Sequence, residues 1–183
     1  TGFNVGFVIF PGITQLDFTG PFEVLSRLGT PASLSAPSPV SDTAVHVIAR
    51  SMAPVPGDRG LAILPTVTFD AAPPLDLVCV PGGAGVAEAL ADVGTIDFIR
   101  RQAGARYITA VCTGAFLVAE AGLLDGCRAT THWAFADRLA AEFPDVTVDP
   151  DPIFVRSSDT VWTAAGVTAG IDLALSLVED DHG

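Results

Sequence analysis

Basic residues are scarce in this chain of 183 residues: nine Lys and Arg stand against 21 Asp and Glu, for a formal net charge of −12. Binding to the phosphates of a nucleic acid requires clustered Lys and Arg, and the nine present here are dispersed along the sequence. The composition therefore argues against a nucleic-acid partner. An uncharged or cationic small ligand, or a protein partner, fits the charge better.

Long apolar runs and paired metal ligands are also missing. No apolar run reaches the roughly 18 residues that a membrane span requires, and the N-terminus lacks a basic region followed by a long apolar segment. Three cysteines occur in dissimilar contexts without a C-x-x-C or paired-His spacing, which gives no sign of a disulfide framework or a zinc site. We expect a soluble, cytoplasmic protein with no membrane partner, and nothing indicates a metal or an organic cofactor.

Apolar residues, by contrast, make up 49% of the chain, a share typical of a well-buried core, and we expect one domain over residues 1–183. The near-continuous apolar runs Phe3–Phe10, Leu75–Val80 and Tyr107–Val111 predict strands that are buried on both faces. Segments with helical spacing alternate with them. This order predicts an α/β fold, a three-layer sandwich with a mainly parallel, flavodoxin-like sheet.

The remaining elements are expected as follows. Shorter strands are predicted at Val45–Arg50, Asp145–Val148, Ile153–Arg156 and Val161–Ala164, with another inside Gly126–Trp133 that ends at His132. The short apolar piece Leu61–Leu64, after the turn Ala53–Gly60, is compatible with a hairpin-like excursion. Helices are predicted at Phe22–Leu28, Val86–Leu90, Ile96–Ala103, Ala115–Leu124, Ala134–Glu142 and Val167–Glu179. For the first of them, Thr19 is the expected cap, Pro21 lies in the first turn and Gly29 follows the end. The last is apolar nearly all round, which predicts burial. Residues 30–43, rich in Pro, Ser and Ala, are expected to form an exposed loop.

Cys112 stands where the strand Tyr107–Val111 turns into a helix. Such a junction places a side chain in front of a helix N-terminus, whose free N–H groups and partial positive charge favour a thiolate over a thiol. The small residues Thr113 and Gly114 leave room for a close approach by the backbone and by a ligand. The pattern predicts a nucleophile elbow at Cys112. The alternative is a small buried residue at a tight turn.

Further candidate residues follow other predicted strands. Sites in open parallel sheets lie outside the carboxyl ends of the strands. Asp17 comes soon after the first strand, and Gly82 and Gly83 follow another. With Cys112 they predict one pocket, in which an activated nucleophile meets a proton donor or acceptor and the backbone N–H groups of Gly83 and Thr113 cradle an oxyanion.

Other interpretations of these residues stay open. Asp17 could instead accept the free N–H groups of the helix that follows it, and the glycine pair could form a plain tight turn. His132 either completes a Cys–His pair or serves as a structural hydrogen-bonding group. Cys79, in mid-strand, is expected to be inert core, and Cys127 sits in a turn without an evident role.

Four motifs carry a resemblance over almost the whole chain: QLDFTGP around Asp17, the PGG turn, VCTG at Cys112 and THW at His132. In this order they resemble the ThiJ/PfpI superfamily, which has the class I amidotransferase-like fold. The resemblance implies that Cys112 is the nucleophile, Asp17 its acidic partner, and Gly83 with Thr113 the source of backbone N–H groups. PfpI-type proteases carry His directly after the cysteine. Thr113 occupies that position here, which argues against protease activity.

Two branches of this family share the LDFTGP and CTG motifs. In isonitrile hydratases the cysteine attacks the isocyanide carbon, the acid manages protons, and water releases an N-substituted formamide. In AraC-type transcription regulators a domain of this kind senses a ligand, and the segment VWTAAGVTAGIDLALSLVEDDHG particularly resembles that branch. The set of Cys112, Asp17 and backbone N–H groups favours the hydratase, because a pure binding module would not need it.

The resemblance has two further implications. A homodimer is expected, since members of the superfamily often form dimers. Redox sensing is a third functional hypothesis, in which Cys112 is oxidised to a sulfinate held by the same N–H groups.

Overall fold

A computed structural model describes residues 2–27 and 43–182 of the chain. The strands are β1 (Phe3–Val8), β2 (Thr43–Ala49), β3 (Val55–Pro56), β4 (Ala62–Ile63), β5 (Val67–Thr68), β6 (Leu77–Val80), β7 (Tyr107–Val111), β8 (Arg128–Ala129), β9 (Thr147–Val148), β10 (Phe154–Arg156) and β11 (Val161–Ala164). The α-helices are α1 (Gln15–Leu25), α2 (Val86–Ala91), α3 (Val93–Arg101), α4 (Gly114–Glu120), α5 (Ala136–Glu142) and α6 (Ala169–His182). Two short 3₁₀ turns span Gln102–Gly104 and Trp133–Phe135.

Seven strands form the central sheet in the order β10-β11-β7-β6-β1-β2-β5. All neighbours pair in parallel except β10 and β11, which are antiparallel. From β1 the chain passes to β2 on one side and then returns to β6 on the other side. The strand order therefore reverses between β1 and β6, and a crevice opens at the carboxyl ends of strands at such a point.

Helices cover both faces of the sheet. Strands β6, β7 and β11 are buried along their whole length, as parallel strands between two layers of helices are. Helices α1 and α6 pack against each other, and α2, α3 and α4 form a second group. The predicted α/β sandwich with a mainly parallel sheet is confirmed, and the strands from the three long apolar runs lie at its centre.

Helix α1 begins earlier than the sequence predicts. Thr19 was expected to be the cap and Pro21 to lie in the first turn, but the helix already starts at Gln15, so both residues lie inside it. The Thr19 hydroxyl donates to the carbonyl of Gln15 at 3.0 Å, a bond within the helix that leaves no capping role. Pro21 lacks an N–H group, and its buried position in α1 shows that packing outweighs the missing bond. Asp17 consequently lies in the first turn of the helix.

Three other predictions need correction or fall outside the described residues. The last helix was expected to be largely buried, and it packs against α1, β10 and β11, but Leu175 on α6 is 54% exposed. The expected loop at residues 30–43 and the expected helix end at Gly29 lie outside the described residues, apart from Thr43, which begins β2. Within residues 2–27 and 43–182, no helix has the length and apolar character needed to cross a membrane.

Gly114, the first residue of α4, touches the end of β6. A Cβ atom there would lie 2.2 Å from the carbonyl oxygen of Val80 and 2.8 Å from that of Pro81. We expect Gly114→Ala to lower the free energy of unfolding by about 1–3 kcal/mol, because neither backbone carbonyl can move away freely. Urea denaturation measures this loss. Gly104→Ala is the matched control, since a Cβ at Gly104 meets no atom within 4 Å; equal losses in the two variants would contradict the prediction.

Candidate active site

Cys112 occupies a sharp turn between β7 and α4, as the sequence predicts. Its φ is +57°, in the left-handed region that few residues other than glycine adopt. The turn is held from two sides: the Cys112 N–H donates to the carbonyl of Ala164 at 3.0 Å, and the buried Thr131 hydroxyl donates to the Cys112 carbonyl at 2.7 Å. These bonds maintain a backbone conformation that is costly on its own. The predicted strand–turn–helix geometry at Cys112 is confirmed, and the role of Cys112 as nucleophile stays a prediction.

Asp17 is fully buried beside the elbow. One carboxylate oxygen accepts the N–H of Gly82 at 3.2 Å, and the other accepts the N–H of Val167 at 3.0 Å. Both donors belong to other segments of the chain, at the carboxyl ends of β6 and β11. The carboxylate thus links the segment after β6 to the segment after β11. It does not cap its own helix, which was the alternative interpretation.

The Asp17 carboxyl and the Cys112 thiol lie close enough for each group to shift the pKa of the other. Burial raises the pKa of Asp17 above its ordinary value. Burial and the negative charge of Asp17 raise the pKa of Cys112 to about 12. The expectation that the helix N-terminus yields a thiolate is therefore wrong for the resting site. Cys112 is only 7% exposed and faces a carboxylate, so the thiol keeps its proton at neutral pH.

Thr113 assists the sulfur twice. Its backbone N–H and its side chain both lower the pKa of the Cys112 thiol, which means that they favour negative charge on the sulfur. The Thr113 hydroxyl oxygen also accepts the N–H of Gly83 at 3.0 Å. The Gly83 N–H therefore fixes the Thr113 hydroxyl beside Cys112.

This arrangement changes the predicted role of the glycine pair. Gly83 was expected to present a free N–H to a substrate oxygen, but that N–H is already donated to Thr113. Gly82 gives its N–H to Asp17. Gly82 is needed for space as well, since a Cβ there would lie 2.6 Å from both the backbone nitrogen and the hydroxyl oxygen of Thr113. In this structure the two glycines hold the acid and Thr113 in place.

His132 lies near the acid but does not pair with the cysteine. Its charge lowers the pKa of Asp17, yet within residues 2–27 and 43–182 no hydrogen bond joins it to Cys112. Its Nδ1 accepts the N–H of Ala134 at 3.2 Å and caps the following 3₁₀ turn. The predicted short strand is present as β8, but its predicted end at His132 is wrong: β8 ends at Ala129, after which the Thr130 N–H bonds to the Thr163 side chain of β11. The structure favours the structural interpretation of His132.

Sequence reasoning missed the segment that follows β11. Val167, whose N–H bonds to Asp17, has a φ of +52°, an uncommon conformation for a β-branched residue. Gly166 has a φ of +127°, and a Cβ on it would lie 3.1 Å from the Cys112 sulfur. The signal was present, since a glycine directly after a strand is the feature that marked Gly82. The described residues include no cluster of three or more His, Cys, Asp or Glu that could hold a metal ion.

Comparison with known proteins agrees with this geometry. The DJ-1/PfpI family matches residues 4–180 of the chain. The chain belongs to the DJ-1/PfpI family. The ThiJ/PfpI resemblance of the motifs is thereby confirmed. A solved ThiJ/PfpI family protein from Pseudomonas syringae has a TM-score of 0.85 at 34% identity, covering 98% of this chain and 69% of that one.

Two kinds of curated relatives occur within this family. An isonitrile hydratase from Pseudomonas putida is 44% identical over 178 residues, which are 97% of this chain and 71% of that protein. The transcriptional regulator GbdR of Pseudomonas aeruginosa is 32% identical over 139 residues, 75% of this chain. The match spans only 37% of that regulator's length.

Proposed function

We propose that this DJ-1/PfpI protein is an isonitrile hydratase, which adds water to an isocyanide R–N≡C and releases the formamide R–NH–CHO. The observation that carries the proposal is the fully buried Asp17 carboxyl, fixed by the N–H groups of Gly82 and Val167 beside Cys112 in its sharp turn, where each of the two groups shifts the pKa of the other. The 44% identity to the Pseudomonas putida hydratase supports the same reaction.

In the first half of the reaction, Asp17 takes the thiol proton as the sulfur of Cys112 bonds to the isocyanide carbon. One C–N π pair moves onto the nitrogen, and the carbon keeps its lone pair. That lone pair accepts the proton from Asp17, which gives a thioimidate, R–N=CH–S–Cys112. A carboxyl whose pKa is raised by burial suits both transfers, because proton donors and acceptors work best when their pKa lies near the working pH.

In the second half, water adds to the thioimidate carbon. Asp17 accepts one proton from the water and delivers it to the nitrogen. The C–S bond then breaks, the hydroxyl proton returns to the sulfur, and the carbonyl of the formamide forms. Thr113 stabilises the sulfur as it departs with negative charge. The sum is one isocyanide and one water consumed and one formamide produced.

Incubation of the purified protein with para-nitrophenyl isocyanide tests the proposal. We expect N-(4-nitrophenyl)formamide to accumulate over many turnovers, with ¹⁸O from labelled water in the formyl group, detected by mass spectrometry. An unchanged isocyanide, in protein shown to be folded by circular dichroism, would overturn the proposal.

A ligand-sensing domain of an AraC-type regulator is the second candidate. It is favoured by the identity to GbdR and by the regulator CdhR of Pseudomonas aeruginosa, which is 30% identical over 75% of this chain. Both matches cover 40% or less of those proteins. A reading frame that continues into a helix-turn-helix segment, together with failure to consume an isocyanide, would support the sensor over the enzyme.

A further inference from the structure

A cavity of about 510 Å³ lies at the carboxyl ends of β1 and β2, apart from the Cys112 site. Its size is within the range of small-molecule sites. Neither Cys112 nor Asp17 nor Thr113 lines it. Pro11 and Gly85 form part of its wall, while Gly82 and Gly83 face the elbow.

The backbone separates this cavity from the cysteine site. A Cβ on Gly85 would lie 1.8 Å from the carbonyl oxygen of Pro11, so the two chain segments touch directly. The Gly85 N–H donates to the carbonyl of Gly12 at 3.1 Å, and the Thr14 N–H donates to the carbonyl of Gly82 at 2.9 Å. The stretch between Pro11 and Thr14 is thus a shared wall with the cavity at one end and the site glycines at the other.

The inner surface of the cavity is apolar and fixed. Phe10, Val55, Phe69 and Ala89 contribute to it, and all four belong to the buried core. The Phe69 ring stacks on Phe98 with ring centroids 4.7 Å apart, which holds that wall in position. An apolar body can therefore enter without rearrangement of the walls.

The charged residues that line the cavity include one more carboxylate than cations. They are Arg50, Glu88 and Asp92, and Arg50 pairs with Asp92. Asp92 is further engaged by the Thr95 hydroxyl at 2.7 Å, which secures the start of α3. Glu88 is exposed, and the hydrogen bonds and ion pairs found within residues 2–27 and 43–182 include none from its side chain.

We propose that this cavity binds a small molecule with an apolar body and a cationic end, such as a primary ammonium group, which pairs with Glu88. The net charge of −12 favours a cation over an anion in this cavity. We assign the cavity a binding role. The site is additional to the proposed hydratase site and does not depend on that activity.

Titration calorimetry of the full chain tests the ligand class with three matched probes: 4-phenylbutylamine, 4-phenylbutan-1-ol and 4-phenylbutanoate. We expect the amine to bind most tightly and the carboxylate most weakly. Glu88→Gln should reduce the preference for the amine over the alcohol about two- to fivefold, the scale of one exposed ion pair. Glu179→Gln removes the same charge from α6 and should leave the preference unchanged. Absence of amine binding, or equal effects of the two variants, would refute the proposal.

Occlusion of the cavity tests the location. Ala53 is exposed and lines the cavity, so Ala53→Trp fills it without disturbing the core, and we expect at least tenfold weaker amine binding. Ala141→Trp, on the exposed face of α5, is the control and should bind normally. Amide NMR shifts caused by the amine should centre on Arg50 and Gly85 and persist in Cys112→Ala. Shifts centred on residue 112, or undiminished binding to Ala53→Trp, would show that the cavity is not the site.

Discussion

Cys112→Ala protein is expected to hydrate para-nitrophenyl isocyanide at least about 1,000-fold more slowly than the unaltered protein, because the carbon–sulfur bond of the proposed intermediate cannot form. Alanine is preferable to glycine here. Alanine has the same conformational penalty as cysteine at a φ of +57°, whereas glycine has none. Cys112→Ala therefore removes the sulfur without relaxing the backbone of the turn. Initial rates of formamide production, followed by chromatography, give the measurement.

Cys127→Ala supplies the matched control. Cys127 is half-buried in a turn, and its thiol lies 3.7 Å from the carbonyl oxygen of Asp125, away from the Asp17–Cys112 pair. We expect its turnover to match that of the unaltered protein. If Cys112→Ala retained full activity, or if Cys127→Ala lost as much as Cys112→Ala, the sulfur of Cys112 would not be the nucleophile.

Asp17→Asn is expected to change turnover and thiol reactivity in opposite directions. Hydration should fall by about 10²–10⁴, because an amide cannot accept the thiol proton or protonate the isocyanide carbon. The negative charge of Asp17 raises the Cys112 pKa, so its removal lowers that pKa and increases the thiolate fraction at pH 8. Alkylation by iodoacetamide should therefore become about three- to tenfold faster. Mass spectrometry of the Cys112 peptide follows this rate.

Two controls protect this result from a structural explanation. The carboxylate receives N–H groups from Gly82 and Val167, and an asparagine can accept only one of them, which costs about 1–3 kcal/mol. Alkylation should therefore be compared at temperatures below the unfolding transition of Asp17→Asn. Asp172→Asn removes the same charge from the exposed surface of α6 and serves as the matched control. Slower alkylation of folded Asp17→Asn would contradict the charge argument.

The central strands and the site residues that follow them were predictable, because they rest on local signals. An uninterrupted apolar run marks a strand buried on both faces, and a parallel sheet gathers whatever follows the strand ends. Cys112, Asp17 and Gly82 were found in this way, and the structure brings all three together. The chemistry assigned to them remains a proposal.

The sequence could not predict features that arise from distant contacts. The start of α1 depends on the packing that tolerates Pro21 inside the helix. The protonation of the Cys112 thiol depends on burial, which an argument from the helix N-terminus alone does not include. The roles of Gly83 and Thr113 follow from the hydrogen bond between the Gly83 N–H and the Thr113 hydroxyl, which the sequence does not reveal. Val167 shows the limit most clearly, because its unusual φ and its bond to Asp17 join positions 150 residues apart.

That last contact also bears on the order in which the site forms during biosynthesis. Asp17 is synthesised before both of its hydrogen-bond donors. The N–H of Gly82 follows 65 positions later, and the N–H of Val167 follows 150 positions later. Until β11 docks beside β7, the acid has only part of its support, and a parallel pairing of this kind forms late. A nascent chain therefore lacks the complete set of contacts around Asp17, and the site is complete only when β11 has joined the sheet.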